Sequence, residues 1–468
     1  MALLADPTNP LEIFEVVAMI GGYFNPWKYD TSCGFELPEF LPKDILSCTL
    51  VSKTWRAALL PILWEVYDGG AMSSISNEVV SKYSHYFKYI TNWSHPGPFY
   101  CNRLCSLEIE VNNIQYYQMI KELQPPITSL TLIHRSYGSM LELSEVDAKI
   151  SMIAPAVTHL VISQGRITTI AHLLEVLTGY SQLCKLSLDF VHRFDESLYS
   201  ESTMTSIPLP QPYLVLPSIT TLHLCCSETL FKMVICCPNL NRLEIIGPWV
   251  SWEDIDNSPP IYHYCPRVRS LSIILHEIDT GAGRYMPNDD DLAELIINLT
   301  GPPGTGKLNS FEATLAEFGS ATSQALAIHA KDTLENFKLI LEEAYDIIQQ
   351  EPYDGFRHIL SNCHRLKKFS VQNECEQHKT EYLDGQWACL DSLEELEIRG
   401  DWYRESPQLL EDIEVSYGDG GVWIWCGERN IYAPLGMLEI ISANIKQMPR
   451  LCRLSIGGNR FYKVKKIE

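Results

Sequence analysis

The sequence has few basic residues for its length, and it has no long hydrophobic run. Lysine and arginine number 36 against 58 aspartates and glutamates, which gives a formal net charge of −22 over 468 residues. A surface this acidic repels phosphate backbones, and the richest basic run is the short Lys-Val-Lys-Lys at 463–466, so we expect no nucleic-acid partner. No stretch approaches the roughly 20 apolar residues of a membrane helix, so we expect no membrane partner either.

The first residues also lack the features of a secretory signal. Residues 1–9 contain no basic segment, and Asp6, Glu12 and Glu15 interrupt any apolar stretch. Without a signal, the 15 cysteines predict reduced thiols rather than a disulfide framework. We therefore expect a cytoplasmic or nuclear protein.

What the sequence does contain is one hexamer pattern that recurs along most of the chain. The pattern is L-x-x-L-x-L, with Ile, Val or Phe allowed at the apolar positions. Its copies start at Leu104, Ile127, Val157, Leu183, Ile219, Leu240, Val268, Leu308, Leu334, Leu366, Leu393 and Leu451. Successive copies start 21 to 40 residues apart, except for a last gap of 58. This spacing predicts a stack of repeats, because such units bury their apolar faces only against their neighbours.

The segments between the hexamers predict helices. Leu292, Leu295, Ile296 and Leu299, for example, recur at helical spacing. Proline stands two residues before the first apolar position in six of the twelve copies, and cysteine stands three residues before it in four. Proline suits the bend that enters a strand, and cysteine suits a small buried spacer. Each repeat is therefore predicted to be a strand, a loop, a helix and a turn, which gives an α/β fold.

The N-terminal part is different in kind and predicts a small helical unit. Asn9 can cap a helix that has Pro10 in its first turn, and Ile13, Val17 and Ile20 then line one face. The stretch 41–64 has an apolar face at Val51, Trp55, Leu59 and Leu63. A unit this small cannot bury all of these residues alone, so it either packs on the repeats or presents a partner-binding face.

Both parts resemble known families. Pro-Leu-Glu-Ile at 10–13, Val-Ser-Lys-Thr-Trp-Arg at 51–56 and Leu-Trp at 63–64 resemble an F-box over residues 7–67, with a loop inserted at 25–39. The hexamers resemble a cysteine-containing leucine-rich-repeat solenoid of about twelve irregular repeats over 101–468, and residues 68–100 connect the two. The usual asparagine ladder is represented only by Asn112 and Asn459. The chain is thus similar to fungal F-box/leucine-rich-repeat proteins.

The resemblance implies a fold and a function. Parallel strands would line the concave face of the solenoid with helices outside, beside a small all-α F-box module. The protein would be a non-enzymatic substrate adaptor of a cullin-type ubiquitin ligase, in which the F-box docks on a Skp-family linker and the repeats bind an unknown substrate protein. The residues that match the apolar positions of the docking motif are Pro10, Leu11, Ile13, Leu46, Leu50, Val51 and Trp55, and some of these can instead belong to the core of the module. One alternative is a repeat scaffold that works outside any ligase.

A second alternative rests on the segment Gly-Pro-Pro-Gly-Thr-Gly-Lys at 301–307. It resembles the phosphate-binding half of a P-loop, which would make the chain a nucleotide-binding protein. However, Leu308 stands where the magnesium-binding Ser or Thr belongs. A predicted helix also precedes the glycines and a repeat strand follows, which reverses the P-loop order. We expect a surface turn here, and no nucleotide cofactor.

Metal and catalytic motifs are weaker still. One set of potential zinc ligands is His223, Cys225, Cys226, Cys236 and Cys237, and another is Cys363, His364, Cys375 and His378. Neither set contains the tight C-x-x-C pairs of structural zinc sites, so we expect buried or incidental thiols and no metal. No serine has a G-x-S-x-G context, and we expect no catalytic residues.

The middle residue of each L-x-L points away from the core, as does the residue before each triplet. Most of these positions are polar or charged, which predicts a polar protein-recognition face. Arginine is enriched among interface hot spots, so we expect a centre at Arg242 with Lys185, His223 and Glu244. The apolar segment 421–427, which contains Trp423 and Trp425, is expected to form a covering hairpin, with a partner anchor as the alternative.

Overall fold

The computed structural model describes a little over half of the chain, in discrete segments. These are residues 13–24, 26–30, 37–91, 101–110, 120–121, 124, 126–133, 154–163, 173, 176–189, 215–225, 234–246, 261–274, 289–315, 318–341, 354–373, 385–400, 421–426, 447–456 and 459–465. The chain divides into two compact units, residues 1–199 and 200–468. Among the described residues, no helix combines the length and the apolar character that crossing a membrane requires.

The first unit joins a helical module to six parallel strands. The module contains α1 (Phe14–Gly21), a β1–β2 antiparallel pair (Trp27–Asp30 and Leu37–Phe40), α2 (Lys43–Thr49) and α3 (Lys53–Leu63). The parallel strands, in spatial order, are β3 (Val66–Asp68), β4 (Tyr89–Thr91), β5 (Ser106–Glu110), β6 (Ser129–Ile133), β7 (His159–Ser163) and β8 (Lys185–Asp189). Helix α4 (Asn77–Tyr83) and the 3-10 turn Ser84–Tyr86 connect β3 to β4.

The second unit contains eight parallel strands among its described residues. They are β9 (Thr221–Cys225), β10 (Arg242–Ile246), β11 (Ser270–Ile274), β12 (Ser310–Leu315), β13 (Asn336–Leu341), β14 (Lys368–Asn373), β15 (Glu395–Gly400) and β17 (Arg453–Ile456). The connecting helices are the 3-10 turn Val234–Cys236, α5 (Ile261–Tyr264), α6 (Asp289–Thr300), α7 (Ser320–His329) and α8 (Asp354–Asn362). Helix α6 packs on α7, and α7 packs on α8.

The strand register agrees with the hexamer pattern in every predicted repeat. In the first unit Leu107, Leu130, Leu160 and Leu186 are direct partners on neighbouring strands, and all four are buried. The same position of the hexamer forms one buried row in the second unit, from Leu222 through Leu243, Leu271, Phe311, Phe337, Phe369 and Leu396 to Leu454. The predicted α/β fold with one parallel strand per repeat is therefore confirmed, and it is compatible with a repeat solenoid.

The sheet begins earlier than the hexamers indicate. Strands β3 and β4 lie in the stretch that joins the module to the first hexamer, and Tyr67 and Ile90 are in register with Leu107. Trp64 and Phe87 stand three residues before them, as the first apolar residue does in a hexamer, and both are buried. The first copy escapes the pattern because Trp64, Tyr67 and Gly69 all fall outside it, and the second because Asn92 replaces the last apolar residue.

The N-terminal module is not all-α as expected. The inserted segment supplies the β1–β2 pair, in which Trp27 lies directly opposite Phe40. The two rings are 5.0 Å apart between centroids, and Phe40 in turn lies 6.5 Å from Trp64 at the end of α3. Strand pairing was not predicted there because the insertion contains proline and glycine and no clear apolar alternation.

The missing asparagine ladder is replaced by a different row of side-chain donors. In the first unit the side chain of the residue just before each of β5, β6, β7 and β8 donates to a carbonyl of the preceding repeat: Cys105 to Lys88 (3.3 Å), Thr128 to Cys105 (3.2 Å), Thr158 to Thr128 (3.1 Å) and Cys184 to Thr158 (3.3 Å). Each of these carbonyls also accepts the backbone N–H of the same residue. Neighbouring strands are thus tied together at the edge where they begin.

Phenylalanines dominate the core of the second unit. Phe311, Phe337 and Phe369 stack along the sheet with ring centroids 5.7 Å and 5.3 Å apart. Phe318 and Phe356, which belong to the helical side, are stacked on each other at 5.7 Å and meet the first row edge-on. All five rings are almost completely buried, so this cluster joins the sheet to its helices over three successive repeats.

The segment with Trp423 and Trp425 forms strand β16 (Gly421–Cys426). It pairs in antiparallel fashion with β18 (Asn459–Lys465), which itself pairs with β17. The segment therefore does not form a local hairpin of its own, and its side chains lie outside the described residues. The segment extends the end of the sheet by pairing with a strand that lies more than thirty residues later in the chain.

Candidate functional site

The helical module uses a small set of apolar residues for its own core. Helices α1 and α2 both pack on α3, and Val17, Ile45, Leu59 and Leu63 are almost completely buried. Helix α1 approaches α3 most closely at Gly21, where an added Cβ would overlap the side chain of Leu59. The module therefore folds around α3, and a larger residue at position 21 would force the side chains of Leu59 and Ile62 to move.

Helix α3 begins later than the sequence pattern predicted. The hydroxyl of Ser52 accepts the backbone N–H of Trp55 at 3.2 Å, which makes Ser52 the N-cap. Val51 lies before this cap, so it does not share a helical face with Trp55 and Leu59 as expected. Leu59 is buried in the core, Trp55 is half-buried, and Val51 is 65 % exposed.

The residues expected to bind a linker are mostly exposed. Leu46 and Leu50 are one turn apart at the end of α2, Val51 follows directly, and Leu50 is 76 % exposed. Ile13, at the start of α1, is also exposed, whereas Pro10 and Leu11 lie outside the described residues. We call Leu46, Leu50 and Val51 the module apolar surface. Of the thirteen large hydrophobic residues that are exposed in the described part of the chain, eight lie between 13 and 51.

The expected centre of substrate binding is only partly brought together. On β9 and β10, Nδ1 of His223 lies 3.4 Å from a carboxylate oxygen of Glu244, and the guanidinium of Arg242 lies 3.9 Å from the other oxygen. Lys185 is exposed, but it belongs to β8 of the first unit. The structure thus supports a small ion cluster at His223, Arg242 and Glu244, without Lys185.

A second polar site lies further along the second unit. Strands β12, β13, β14, β15 and β17 present a cavity of about 260 Å³ on the face of the sheet opposite the core. We call it the β12–β17 cavity. Its lining includes three acidic side chains (Glu312, Glu395 and Glu397) and three basic ones (Lys338, Lys368 and Arg453). The cavity is therefore locally neutral, although the whole chain carries a net charge of −22.

Ion pairs link these side chains across neighbouring strands. Lys338 pairs with Glu312, and Glu395 lies between Lys368 at 3.1 Å and Arg453 at 3.9 Å. The hydroxyl of Ser370 donates to Glu397 at 2.8 Å. Every one of these residues belongs to the polar rows predicted from the sequence. No sequence signal singled them out, because neighbouring strands are 26 to 58 residues apart in the chain.

No protein-family model matches the chain, and no curated protein matches it.

The P-loop-like segment has the geometry of a helix end. Gly301 follows α6 with a φ of +72°, and its N–H donates to the carbonyl of Ile297 at 2.8 Å. Its own carbonyl lies 2.7 Å from Nδ1 of His329. The glycines thus lie at the C-terminal, partially negative end of a helix, where phosphate is disfavoured. Strand β12 follows the segment, which is the reversed order that the sequence predicted.

The potential zinc ligands do not converge among the described residues. No group of three or more His, Cys, Asp or Glu side chains that suits a metal ion occurs there. Cys237 is buried between helix and sheet, and burial raises its pKa well above the ordinary value, whereas His223 lies on the other face with Glu244. Burial likewise raises the pKa of Cys363 to about 12, while the neighbouring His364 is exposed and pairs with Asp332. Cys226, Cys375 and His378 lie outside the described residues, as does the side chain of Cys225.

Proposed function

We propose that this protein is a non-enzymatic substrate-recognition adaptor of a cullin-type ubiquitin ligase. In this proposal the N-terminal module acts as an F-box and docks on a Skp-family linker, which connects it to a cullin. The parallel sheet holds a substrate protein. The observation that carries the proposal is the division of apolar residues within the module: one set builds the core, and another set, at the positions that match the docking motif, is exposed.

Exposure of the apolar side chains to water is unfavourable, and a partner that covered them would remove this free-energy cost. Burying a Leu or Val side chain that was exposed to water contributes about 1.5–3 kcal/mol. Leu46, Leu50 and Val51 are adjacent at the end of α2 and in the turn to α3, so one partner surface can cover all three. Concentrated exposed apolar residues of this kind mark protein interaction sites more often than isolated ones do. The sheet surface is polar and built on rigid strands, which suits recognition of a second protein.

The test is linker binding by charge insertion at the module apolar surface. We expect Val51→Glu or Leu50→Glu to leave folding intact, because both side chains are exposed. Each should weaken binding to a purified Skp-family linker by about 30-fold or more, as expected when a hot spot worth about 2 kcal/mol is lost. The matched control is Val79→Glu on α4, which changes an exposed valine outside the module. Absence of linker binding by the unmodified protein, or equal loss in the control, would rule out the docking assignment.

The rival function is a repeat scaffold that works outside a ligase. It uses the same sheet surface but needs no cullin. Co-purification separates the two: the adaptor brings down the linker and the cullin together, and loses both in Val51→Glu. A scaffold brings down its partner protein without the cullin, and that result would favour the rival.

A further inference from the structure

The inserted segment between α1 and α2 is closed at its base and held by an aromatic contact. The backbone N–H of Leu41 donates to the carbonyl of Pro26 at 2.7 Å, just outside the β1–β2 pair. Inside the pair, Trp27 is 7 % exposed, and the centroid of its ring lies 5.0 Å from that of Phe40. The two strands are thus joined at the end that is nearest to the helices in the chain.

The aromatic contacts continue from the inserted pair into the sheet. The ring of Phe40 lies 6.5 Å from Trp64 at the C-cap of α3, and Trp64 lies 6.3 Å from Phe87, just before β4. Phe87 lies 5.4 Å from Tyr67 on β3, and Trp64 also stacks on Tyr83 of α4 at 4.9 Å. All of these centroid distances lie within the roughly 4.5–7 Å that is typical of interacting aromatic pairs. We call this continuous set of rings the aromatic chain: Trp27, Phe40, Trp64, Tyr67, Tyr83 and Phe87.

The covalent connection between the helices and the sheet is short, and hydrogen bonds fix it in place. Trp64 and Glu65 alone separate α3 from β3. The carbonyl of Glu65 accepts the backbone N–H groups of Lys88 at 2.8 Å and Tyr89 at 3.1 Å, and its carboxylate pairs with the Lys88 ammonium at 2.7 Å. The module therefore meets the sheet at two places, which are this junction and the contact between Phe40 and Trp64.

These two connections oppose separate opening of the module and the first strands. An element that is held by one short link can rotate about it, whereas a second contact away from the link restricts the rotation. Trp64 and Phe87 also belong to the core of the sheet, because each stands three residues before the buried middle residue of its strand and is itself almost completely buried. Moving the module away would expose rings that β3 and β4 need for their own packing. Elements that share buried contacts in this way commonly open together.

We infer that the inserted strand pair is a strap that couples the helical module to β3 and β4 through the aromatic chain, so that all of them open as one cooperative unit. Helix α2 begins two residues after Leu41, at the end of the strap. A protein that binds the module apolar surface therefore also stabilises the first strands of the sheet. The inference goes beyond the proposed function, because the coupling is the same whichever partner binds the module.

The experiment measures hydrogen exchange of the full-length protein by mass spectrometry. The regions compared are α2 with α3, β3 with β4, and β6 as a reference. Trp27→Ala removes the first ring of the aromatic chain and changes no residue of these regions. We expect exchange to become about tenfold faster or more, by the same factor in the two helices as in β3 and β4, because one unit opens with one free energy. Exchange in β6 should match the wild type.

Two further variants make the comparison specific. Tyr23→Ala is the matched control, because it also removes an aromatic ring just before the inserted pair, but Tyr23 is 91 % exposed. It should leave exchange unchanged in all three regions. Phe40→Leu is a milder change, which keeps an apolar side chain but removes the ring between Trp27 and Trp64. It should accelerate exchange in the helices and in β3 and β4 by a smaller common factor, and it decides alone if Trp27→Ala does not fold.

Three results would overturn the inference. The first is faster exchange that is confined to β1 and β2, which would mean that the pair stabilises only itself. The second is faster exchange in α2 and α3 while β3 and β4 keep the wild-type rate, which would mean that the module opens alone. The third is equal acceleration in β6 or in Tyr23→Ala, which would mean that the effect is not specific to the strap. None of these measurements involves a linker, so their outcome is independent of the docking proposal.

Discussion

Helix α7 begins at a carboxylate that is supplied by another helix. Asp289, the first residue of α6, accepts the backbone N–H groups of Gly319 (2.9 Å), Ala321 (2.6 Å) and Thr322 (3.1 Å). The backbone carbonyl of Asp289 accepts the hydroxyl of Thr322 at 3.0 Å, and Thr322 is completely buried. Gly319 is required there, because an added Cβ would lie 2.6 Å from the Asp289 carboxylate carbon. One side chain thus satisfies three backbone donors that the helix itself leaves unpaired.

We expect Asp289→Ala to destabilise the second unit locally by about 2–3 kcal/mol. Loss of an N-cap costs about 0.5–2 kcal/mol, and each buried donor left unsatisfied adds about 1–3 kcal/mol, part of which water recovers. Asp289→Asn should have a smaller effect, because one carbonyl oxygen still accepts. Asp290→Ala is the matched control, since the neighbouring Asp290 is exposed and adds no bond to α7.

The assay is hydrogen exchange of the full-length protein, read by mass spectrometry over residues 318–330. In Asp289→Ala these amides should exchange about 30- to 150-fold faster, which is the factor that corresponds to 2–3 kcal/mol. Asp290→Ala should match the wild type. Unchanged exchange in Asp289→Ala, or equal acceleration in the control, would refute the reasoning.

Two further predictions concern the core. Phe337→Ala should lower the free energy of unfolding by about 3–5 kcal/mol, because it removes the central ring of the stacked row. Phe337→Leu should lower it less. Urea denaturation measures both variants, and equal losses of stability would contradict the stacking argument. Burial raises the pKa of Cys265 from 9.0 to about 12, so a disulfide reagent at pH 8 should label the exposed Cys452 and spare Cys265 until the protein unfolds. Since the unfolded thiol ionises first, the stability from burying Cys265 is complete below about pH 9 and is lost as the pH rises toward 12. Rapid labelling of Cys265 itself in the native protein, located by mass spectrometry of its peptide, would contradict this burial.

The strands were predictable because the alternation within each hexamer shows which side chains face the core. In Leu243-Glu244-Ile245, alternation alone puts the outer residues in the core and Glu244 on the opposite face, and the structure agrees. Strands β3 and β4 were missed because their copies depart from the pattern of three apolar residues. Trp64, Tyr67 and Gly69 all fall outside it at β3, and Asn92 does so at β4. The apolar spacing of Val51, Trp55 and Leu59 wrongly predicted one continuous helical face, because the helix begins only after Val51, at the N-cap Ser52. Serine is a preferred N-cap, so that signal was present in the sequence.

The sequence predicted which residues lie on the polar face of the sheet, but it did not predict which of them come together at the β12–β17 cavity. The sequence places Lys338 and Glu312 at the same hexamer position, but it does not determine which neighbour a long side chain chooses. Lys338 pairs back to β12, whereas Lys368 pairs forward to Glu395 on β15. Such choices depend on side-chain packing across three or four strands, and a periodic pattern contains no information about them.

The irregular repeat length raises the question of how one binding surface survives gaps of 21 to 58 residues. The side-chain ladder of the first unit provides an answer, because Cys105, Thr128, Thr158 and Cys184 stand immediately before their strands and bond the preceding repeat there. In the second unit Cys452 does the same across the longest gap, with its thiol 3.3 Å from the carbonyl of Glu394. Register is therefore set where each strand begins, and the length of the preceding connection has little influence on it. Side chains on the strands keep fixed neighbours while the connections vary, which is why we assign recognition to the face of the sheet rather than to the loops.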